Sequence, residues 1–202
     1  LVGMGIAYDA GANQFDIRSA IPGVVDGVQD SSGDALGVLV EFGTIETDHF
    51  LRVEVEDQDG NMSVVRRHLS ELDGSLVATD VPVLLDPTPG SSVAGAAYTI
   101  HCSDPLRDGL GMGGVYQVRL TAVNGRSWSL WRQDPADAAT DLQVQVPDIA
   151  SHGGTPLPAG TTLCRISYWA APGLDDSEFL WSDLARDAER YGRSELFTYT
   201  RN

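Results

Sequence analysis

Residues 115–132 read VYQVRLTAVNGRSWSLWR, and this stretch decides the fold class. Two β-prone runs, 115–123 and 126–132, flank the pair Asn124-Gly125. Asn-Gly between two such runs is a strong hairpin signal, because both residues tolerate the positive φ of a tight turn. The stretch therefore predicts an antiparallel hairpin.

The rest of the chain repeats this pattern of short β-prone runs separated by turn residues, among them 22 glycines and ten prolines. The other predicted strands are 2–8, 13–18, 36–43, 49–56, 62–69, 76–85, 96–102, 141–146, 161–170 and 195–201. Pro82 makes 76–85 an edge or bulged strand, because proline cannot donate a ladder hydrogen bond. The spacing predicts a mainly β protein, an antiparallel β-sandwich of immunoglobulin-like or jelly-roll-like type.

One helix is predicted near the C-terminal end, over residues 176–191. Acidic residues at its start can cap it, and Gly192 is a natural terminator. Its apolar stripe consists of Leu180, Leu184, Ala188 and Tyr191. We expect one unit over 1–202, with a split into two smaller β domains near 103–113 as the alternative.

The chain of 202 residues contains no lysine, and its 13 arginines stand against 29 acidic residues. Residues 1–101 hold 16 acids and four arginines, a net charge of −12, whereas residues 102–202 hold 13 acids and nine arginines, a net charge of −4. Nucleic acid is excluded as a partner, because binding phosphates requires clustered basic residues. If copies of the chain meet head to tail, this charge asymmetry predicts where the contact lies.

Two origins explain this composition, and both stay open. A GC-rich genome favours codons for Arg, Ala, Gly, Asp and Val over Lys. Adaptation to high salt also favours an acidic surface, since repulsion is screened within about 3 Å at 1 M salt. No run of apolar residues approaches the roughly 20 needed to span a bilayer.

The two cysteines, Cys102 and Cys164, each fall at the end of or within a predicted strand. A disulfide between two strands in an oxidising compartment is the prediction, and a pair of buried free thiols is the alternative. No CxxC is present, so zinc or thioredoxin-type chemistry has no support.

The turn at 57–61 places oxygen ligands at Asp57, Asp59 and Asn61, which resembles the opening half of a calcium loop. The bidentate glutamate expected at the twelfth position falls on His68, so the pattern is incomplete. A calcium ion is the cofactor that this turn suggests, and a plain hairpin turn is the simpler interpretation.

Histidines supply a second metal hypothesis. Pairing of 49–56 with 62–69 brings His49 near His68, and His101 lies on a further predicted strand. Three clustered histidines make a zinc or iron site. The spacing does not require one, because neither HxH nor HExxH occurs.

Trp128 and Trp131 lie three residues apart, so on a strand their side chains point to opposite faces. Exposed tryptophans bind sugars by stacking, and tryptophan and arginine are enriched at protein interfaces. Trp169, next to Tyr168, offers the same choice between core packing and contact with a partner.

These patterns favour a non-enzymatic structural or interaction protein of an extracytoplasmic surface or a virion-like assembly. It would contact protein partners or its own copies as a homo-oligomer. A carbohydrate-binding module using the exposed tryptophans is the first alternative. A metal-dependent enzyme with a histidine cluster is the second.

Overall fold

The computed structural model describes most of the chain. The described residues are 2–9, 14–19, 28–32, 35–39, 49–56, 58–68, 79–106, 114–134, 142–170 and 188–202. Among them strands predominate, so the prediction of a mainly β protein is confirmed.

Fifteen strands follow one another along the described chain. They are β1 (Val2–Asp9), β2 (Gln14–Ser19), β3 (Val28–Ser32), β4 (Ala35–Leu39), β5 (His49–Glu56), β6 (Met62–His68), β7 (Leu84–Asp86), β8 (Ser92–Val93), β9 (Tyr98–Cys102), β10 (Gly114–Ala122), β11 (Ser127–Asp134), β12 (Leu142–Val146), β13 (Gly160–Ala170), β14 (Arg190–Arg193) and β15 (Phe197–Arg201). A short 3-10 helix, Ile149–His152, connects β12 to β13.

The largest sheet has ten strands, and its main path runs β11-β10-β13-β14-β6-β5-β1-β2. β15 also pairs with β13, in line with β14, and β8 pairs with β15. The pairs β1–β5 and β8–β15 are parallel, whereas the other pairs are antiparallel. The sheet is therefore mixed, although the sequence predicts antiparallel pairing and most of its pairs are antiparallel.

The second sheet has three antiparallel strands in the order β12-β9-β7. Its buried side chains and those of β10, β13 and β15 form one hydrophobic cluster. The fully buried Ile100 and Leu142 come from the small sheet, and Leu120, Ile166 and Tyr168 from the large one. The core thus lies between the two sheets. Burying so many apolar side chains is the main favourable term in folding.

The Asn124-Gly125 hairpin is confirmed. The N–H of Gly125 donates to the carbonyl of Ala122, and the N–H of Ala122 donates to the carbonyl of Arg126, both at 2.9 Å. These bonds enclose a three-residue loop, 123–125, in which Gly125 takes φ 81°. Asn124 Oδ1 accepts from the N–H of Arg126 at 3.0 Å, which holds the turn closed.

The N-terminal strands agree with the sequence in two places and differ in a third. The predicted strands 2–8 and 13–18 form β1 and β2, which pair with each other, and the predicted hairpin of β5 with β6 also forms. β3 lies within residues 23–35, outside every predicted strand, and pairs with β4 as a separate two-stranded sheet. Polar residues dominate β3 (VQDSS), so no apolar alternation marks it as a strand.

The predicted helix 176–191 falls mostly outside the described residues, and its last two residues belong to β14 instead. Strand pairing on both sides explains this difference, because β14 pairs with β13 and with β6. The guanidinium of buried Arg190 also donates to Thr79 Oγ1 at 2.7 Å. Tertiary contacts therefore outweigh the local helical pattern. Within the described chain, no helix is long and apolar enough to cross a bilayer.

Strands on both sides of 103–113 contribute to the single core, since Leu84, Ile100 and Cys102 precede that segment and Tyr116 follows it. Residues 107–113 lie outside the described part. One unit over the whole chain stays a prediction.

Gly192 is the tightest backbone position in β14. A Cβ added there would lie 2.1 Å from Tyr168 Cε1 and 2.4 Å from Tyr168 Cζ. The ring of Tyr168 is fully buried and has no space to move away.

We expect Gly192→Ala to lower the free energy of unfolding by about 1–3 kcal/mol, as overpacking of a tight core does. Chemical denaturation of the variant and the unmodified chain measures the change. Thr198→Ala, at an exposed position of β15, is the matched control and should stay within about 0.5 kcal/mol. An unchanged stability of Gly192→Ala would contradict the packing of Tyr168 over β14.

Candidate functional site

Strand alternation gives the large sheet two chemically different faces around β13. Thr162, Cys164, Ile166 and Tyr168 are fully buried and point toward the small sheet. The residues between them, Leu163, Arg165, Ser167 and Trp169, point away from the core. Outward positions on β10, β11, β14 and β15 continue this second face.

Three aromatic rings cross the outward face in a row. The ring centroids of Trp131 and Trp169 are 5.4 Å apart, and those of Trp169 and Tyr191 are 5.2 Å apart. Their planes are tilted by 32° and 48°. Tyr191 is opposite Trp169 in the register, whereas Trp131 reaches across β10 from β11. Each such pair stabilises by about 0.5–1.5 kcal/mol beyond its buried area.

Trp131 is the ring of this row that remains open to solvent, with 41% of its surface exposed. Trp169 and Tyr191 are half-buried. The row therefore forms a rigid apolar ridge whose outer end is accessible.

Three arginines lie on the same face as the rings. Arg119 on β10 and Arg165 on β13 are direct cross-strand partners, and Arg193 on β14 is opposite Ser167. Like charges opposite each other are unfavourable on a sheet. The Nε atom of Arg165 is buried and has no hydrogen-bond partner among the described residues. The pair Arg119–Arg165 thus presents positive charge that the described part of the chain leaves uncompensated.

We call this surface the aromatic–arginine face, and it consists of Trp131, Trp169, Tyr191, Arg119, Arg165 and Arg193. None of the outward positions described on β10, β11, β13, β14 and β15 is acidic. This is unusual for a chain with a formal net charge of −16. Aromatic residues and arginine together are the side chains that supply most binding energy at protein interfaces.

Trp128 lies on the other side of β11 from Trp131, as the three-residue spacing predicts. It is opposite Leu120 in the register and packs, partly buried, against the hydrophobic core. Of the three tryptophans proposed for contact, the structure therefore brings Trp131 and Trp169 together and separates Trp128 from them.

The sequence does not indicate a site role for Tyr191 or for the three arginines. The predicted helix includes Tyr191 in its apolar stripe, and the arginines lie too far apart in the sequence to form a motif. Alternation along the strands does indicate that two of the arginines point outward. Arg119 alternates with apolar residues in β10, as Gln117 and Thr121 do, and Arg165 alternates with apolar residues in β13.

The proposed calcium loop is a hairpin turn between β5 and β6. Asn61 Oδ1 accepts the N–H of Glu195 at 2.6 Å, so this oxygen already ties the turn to the β14–β15 connection. Asp59 is exposed, and Asp57 lies outside the described residues. Calcium binding here stays a prediction.

The three histidines proposed as metal ligands lie in two different sheets. Phe50, next to His49, is opposite His68 in the β5–β6 register, so those two backbones are near each other. His101 is on β9 of the small sheet, where it is half-buried and opposite Gln143. In the described part of the chain, no three His, Cys, Asp or Glu side chains group as metal ligands.

The predicted disulfide is wrong, and the alternative of buried free thiols is confirmed. Cys102 of the small sheet and Cys164 of the large sheet are both fully buried in the shared core and carry free thiols. Burial raises the pKa of Cys164 to about 12. Burial also raises the pKa of Cys102, and the nearby Cys164 adds to this effect. Each thiol packs as a small apolar group, and neither is a reactive thiolate at neutral pH.

The buried tyrosines are equally unsuited to proton transfer. Burial raises the pKa of Tyr116, whose hydroxyl donates to the carboxylate of Asp104, and the pKa of Tyr199, which shares a 2.7 Å hydrogen bond with Tyr98. Burial raises the pKa of Tyr168 to about 12. These phenols stay protonated at neutral pH and serve as hydrogen-bonding core residues.

We expect both thiols to resist alkylation in the native protein at about pH 8 and to react when the chain is unfolded, because only the exposed thiolate is nucleophilic. Mass spectrometry after iodoacetamide treatment, with and without denaturant, counts the modified thiols. The ordinary pKa of a cysteine thiol is 9.0, and that of Cys164 in the folded chain is about 12. The Cys164 thiol therefore loses its proton at a lower pH in the unfolded chain than in the folded chain. Stability should therefore decrease as the pH rises through that interval. Rapid native labelling would contradict the packing of the core.

No protein-family model matches the chain, and comparisons with curated proteins and with solved structures give no match either. The function is therefore argued from the aromatic–arginine face and its surroundings.

Proposed function

We propose that this chain is a non-enzymatic structural or interaction protein that binds protein partners through the aromatic–arginine face. The observation that carries the proposal is the combination of a stacked aromatic ridge with three arginines on outward positions that lack acidic residues. We also propose that the sheets of this chain form a β-sandwich of immunoglobulin-like or jelly-roll-like type.

The energetics of such a face favour contact with another protein. Burying an exposed tryptophan removes a large apolar area from water, at about 25 cal/mol per Å². The ring stacking already restricts Trp169 and Tyr191, so binding costs little additional side-chain entropy. The arginines then favour an acidic partner and accelerate its approach.

The chemistry of the core agrees with a role other than catalysis. The thiols and phenols described above are buried and protonated at neutral pH, and they lie between the sheets. The contact surface and the core are separated by the thickness of one sheet.

An extracytoplasmic location, at a surface or in a virion-like assembly, is a further part of this proposal. The free thiols supply no argument for an oxidising compartment, so the location rests on the β-rich, acidic character of the chain alone.

A carbohydrate-binding module remains the second candidate, because the exposed ring of Trp131 on a sheet face can stack on a sugar. The close packing of the three rings favours a protein partner, since Trp169 and Tyr191 use much of their surface on each other. Titration with neutral and acidic polysaccharides, followed by tryptophan fluorescence, separates the two candidates.

The proposal predicts which position of the native protein touches a partner. We expect a photoreactive benzoylphenylalanine at position 131 to give covalent adducts with protein when the full chain is irradiated in extract from its native source. Val123, which is 71% exposed in the hairpin loop outside the face, is the matched control position. Gel electrophoresis and mass spectrometry of the adducts provide the measurement.

Adducts at position 131 that exceed those at position 123 support the proposal. Equal labelling at both positions, or no adducts at position 131, would refute it. Adducts with glycans alone would favour the carbohydrate-binding candidate.

A further inference from the structure

A second surface of the chain has the chemistry that complements the aromatic–arginine face. Val83 and Leu85 are exposed by 47% and 46%, and they are two of the five large hydrophobic side chains exposed in the described part of the chain. Asp80 and Asp86, both exposed, flank them. We call these four residues the acidic–apolar edge.

This edge is held in a defined shape by the small sheet. Among the strands that the structure describes, β7 is an outer strand of that sheet and pairs with β9 alone. The N–H of Val83 donates to Ser103 Oγ, and the N–H of Ser103 donates to the carbonyl of Val83, both at 2.9 Å. Pro82 and Pro87 are buried on either side. An outer strand of this kind presents unpaired backbone groups to a neighbour.

Both surfaces pair apolar with charged groups, and their charges are opposite. The face offers Trp131 beside Arg119 and Arg165, whereas the edge offers Leu85 and Val83 between two carboxylates. Carboxylates placed against the arginine pair would accept N–H groups from the ends of its guanidinium groups. The acidic–apolar edge is therefore complementary to the aromatic–arginine face in charge and in apolar character.

We propose that a second copy of this chain is the partner, and that its acidic–apolar edge binds the aromatic–arginine face of the first copy. This inference rests on the proposed function, which it deepens by naming the partner. The face is on the outward side of the large sheet, and the edge belongs to the small sheet. The contact is thus heterologous, and repetition of it produces a ring or an open chain of copies.

The net charge of −16 makes two copies repel each other at long range. The electrostatic energy of the contact itself depends on the charges within it. Charges on separate copies are screened beyond about 8 Å at physiological ionic strength. Within the contact, the acid-free face meets two carboxylates, so the local pairing is attractive.

A charge-swap experiment tests the inference on the full chain. Variant one carries Arg119→Glu and Arg165→Glu, which reverses the face. Variant two carries Asp80→Arg and Asp86→Arg, which reverses the edge. Sedimentation velocity over a concentration series measures the average mass against the 21.6 kDa of one copy.

We expect the unmodified chain to associate and each variant alone to associate at least about tenfold more weakly, because like charges then meet in every contact. An equimolar mixture of the two variants should recover association. In the mixture, the reversed face of variant one binds the reversed edge of variant two. The native face of variant two binds the native edge of variant one. This recovery also shows that both variants fold. Arg126→Glu, in the exposed hairpin loop, is the matched charge control and should associate like the unmodified chain.

Failure of this inference is distinguishable from failure of the proposed function. An unmodified chain that stays at 21.6 kDa at every concentration, or a mixture that does not recover association, overturns the self-association. Adducts of position 131 with other proteins would then still support the face as a contact surface. If the chain does not associate and position 131 gives no adducts, both the self-association and the proposed function are overturned.

Discussion

The pairing of β13 with strands on both of its edges is the constraint on which the rest of the structure depends. One edge of β13 is bonded to β10 over eight residue pairs, and the other is shared between β14 and β15. With both edges occupied, the alternation of side chains along β13 is locked. The core residues Cys164, Ile166 and Tyr168 then point inward, and Arg165 and Trp169 point outward. A shift of one residue would exchange the two sets.

This constraint explains how one strand contributes both to the core and to the proposed contact surface. Tyr168 covers Gly192 on the inner side, while Trp169 stacks on Tyr191 on the outer side, so the same β13–β14 pairing anchors both rings. The register also sets Arg119 opposite Arg165, a pairing that costs stability in the isolated chain. A partner that supplies carboxylates offsets that cost. Such an arrangement is more readily understood as a binding surface than as a solvated face.

Local signals in the sequence were sufficient to predict the hairpins. Asn124-Gly125 predicts the β10–β11 turn, and turn residues between short apolar runs predict β5–β6 in the same way. Alternation also predicts that Trp128 and Trp131 point to opposite sides. These features depend on residues close together in the sequence.

Features set by distant pairing could not be predicted in this way. Residues 190 and 191 continue the predicted helical pattern, and their strand conformation comes from pairing with β6 and β13. The aromatic–arginine face combines residues from four strands, so no spacing reveals it. The cysteines show the same limit, since their position in strands is correct, but sequence alone does not distinguish a bridge from two thiols buried in one core.

The most direct test of this account is a nuclear magnetic resonance measurement of the through-space contacts of the Trp169 indole. The register of β13 predicts cross-peaks from this indole to the rings of Trp131 and Tyr191, at centroid separations of 5.4 Å and 5.2 Å. It also predicts none to the core side chains of Val118 and Ile166. Cross-peaks from Trp169 to those core residues, with none to Tyr191, would show that β13 presents its other face outward and would contradict the account.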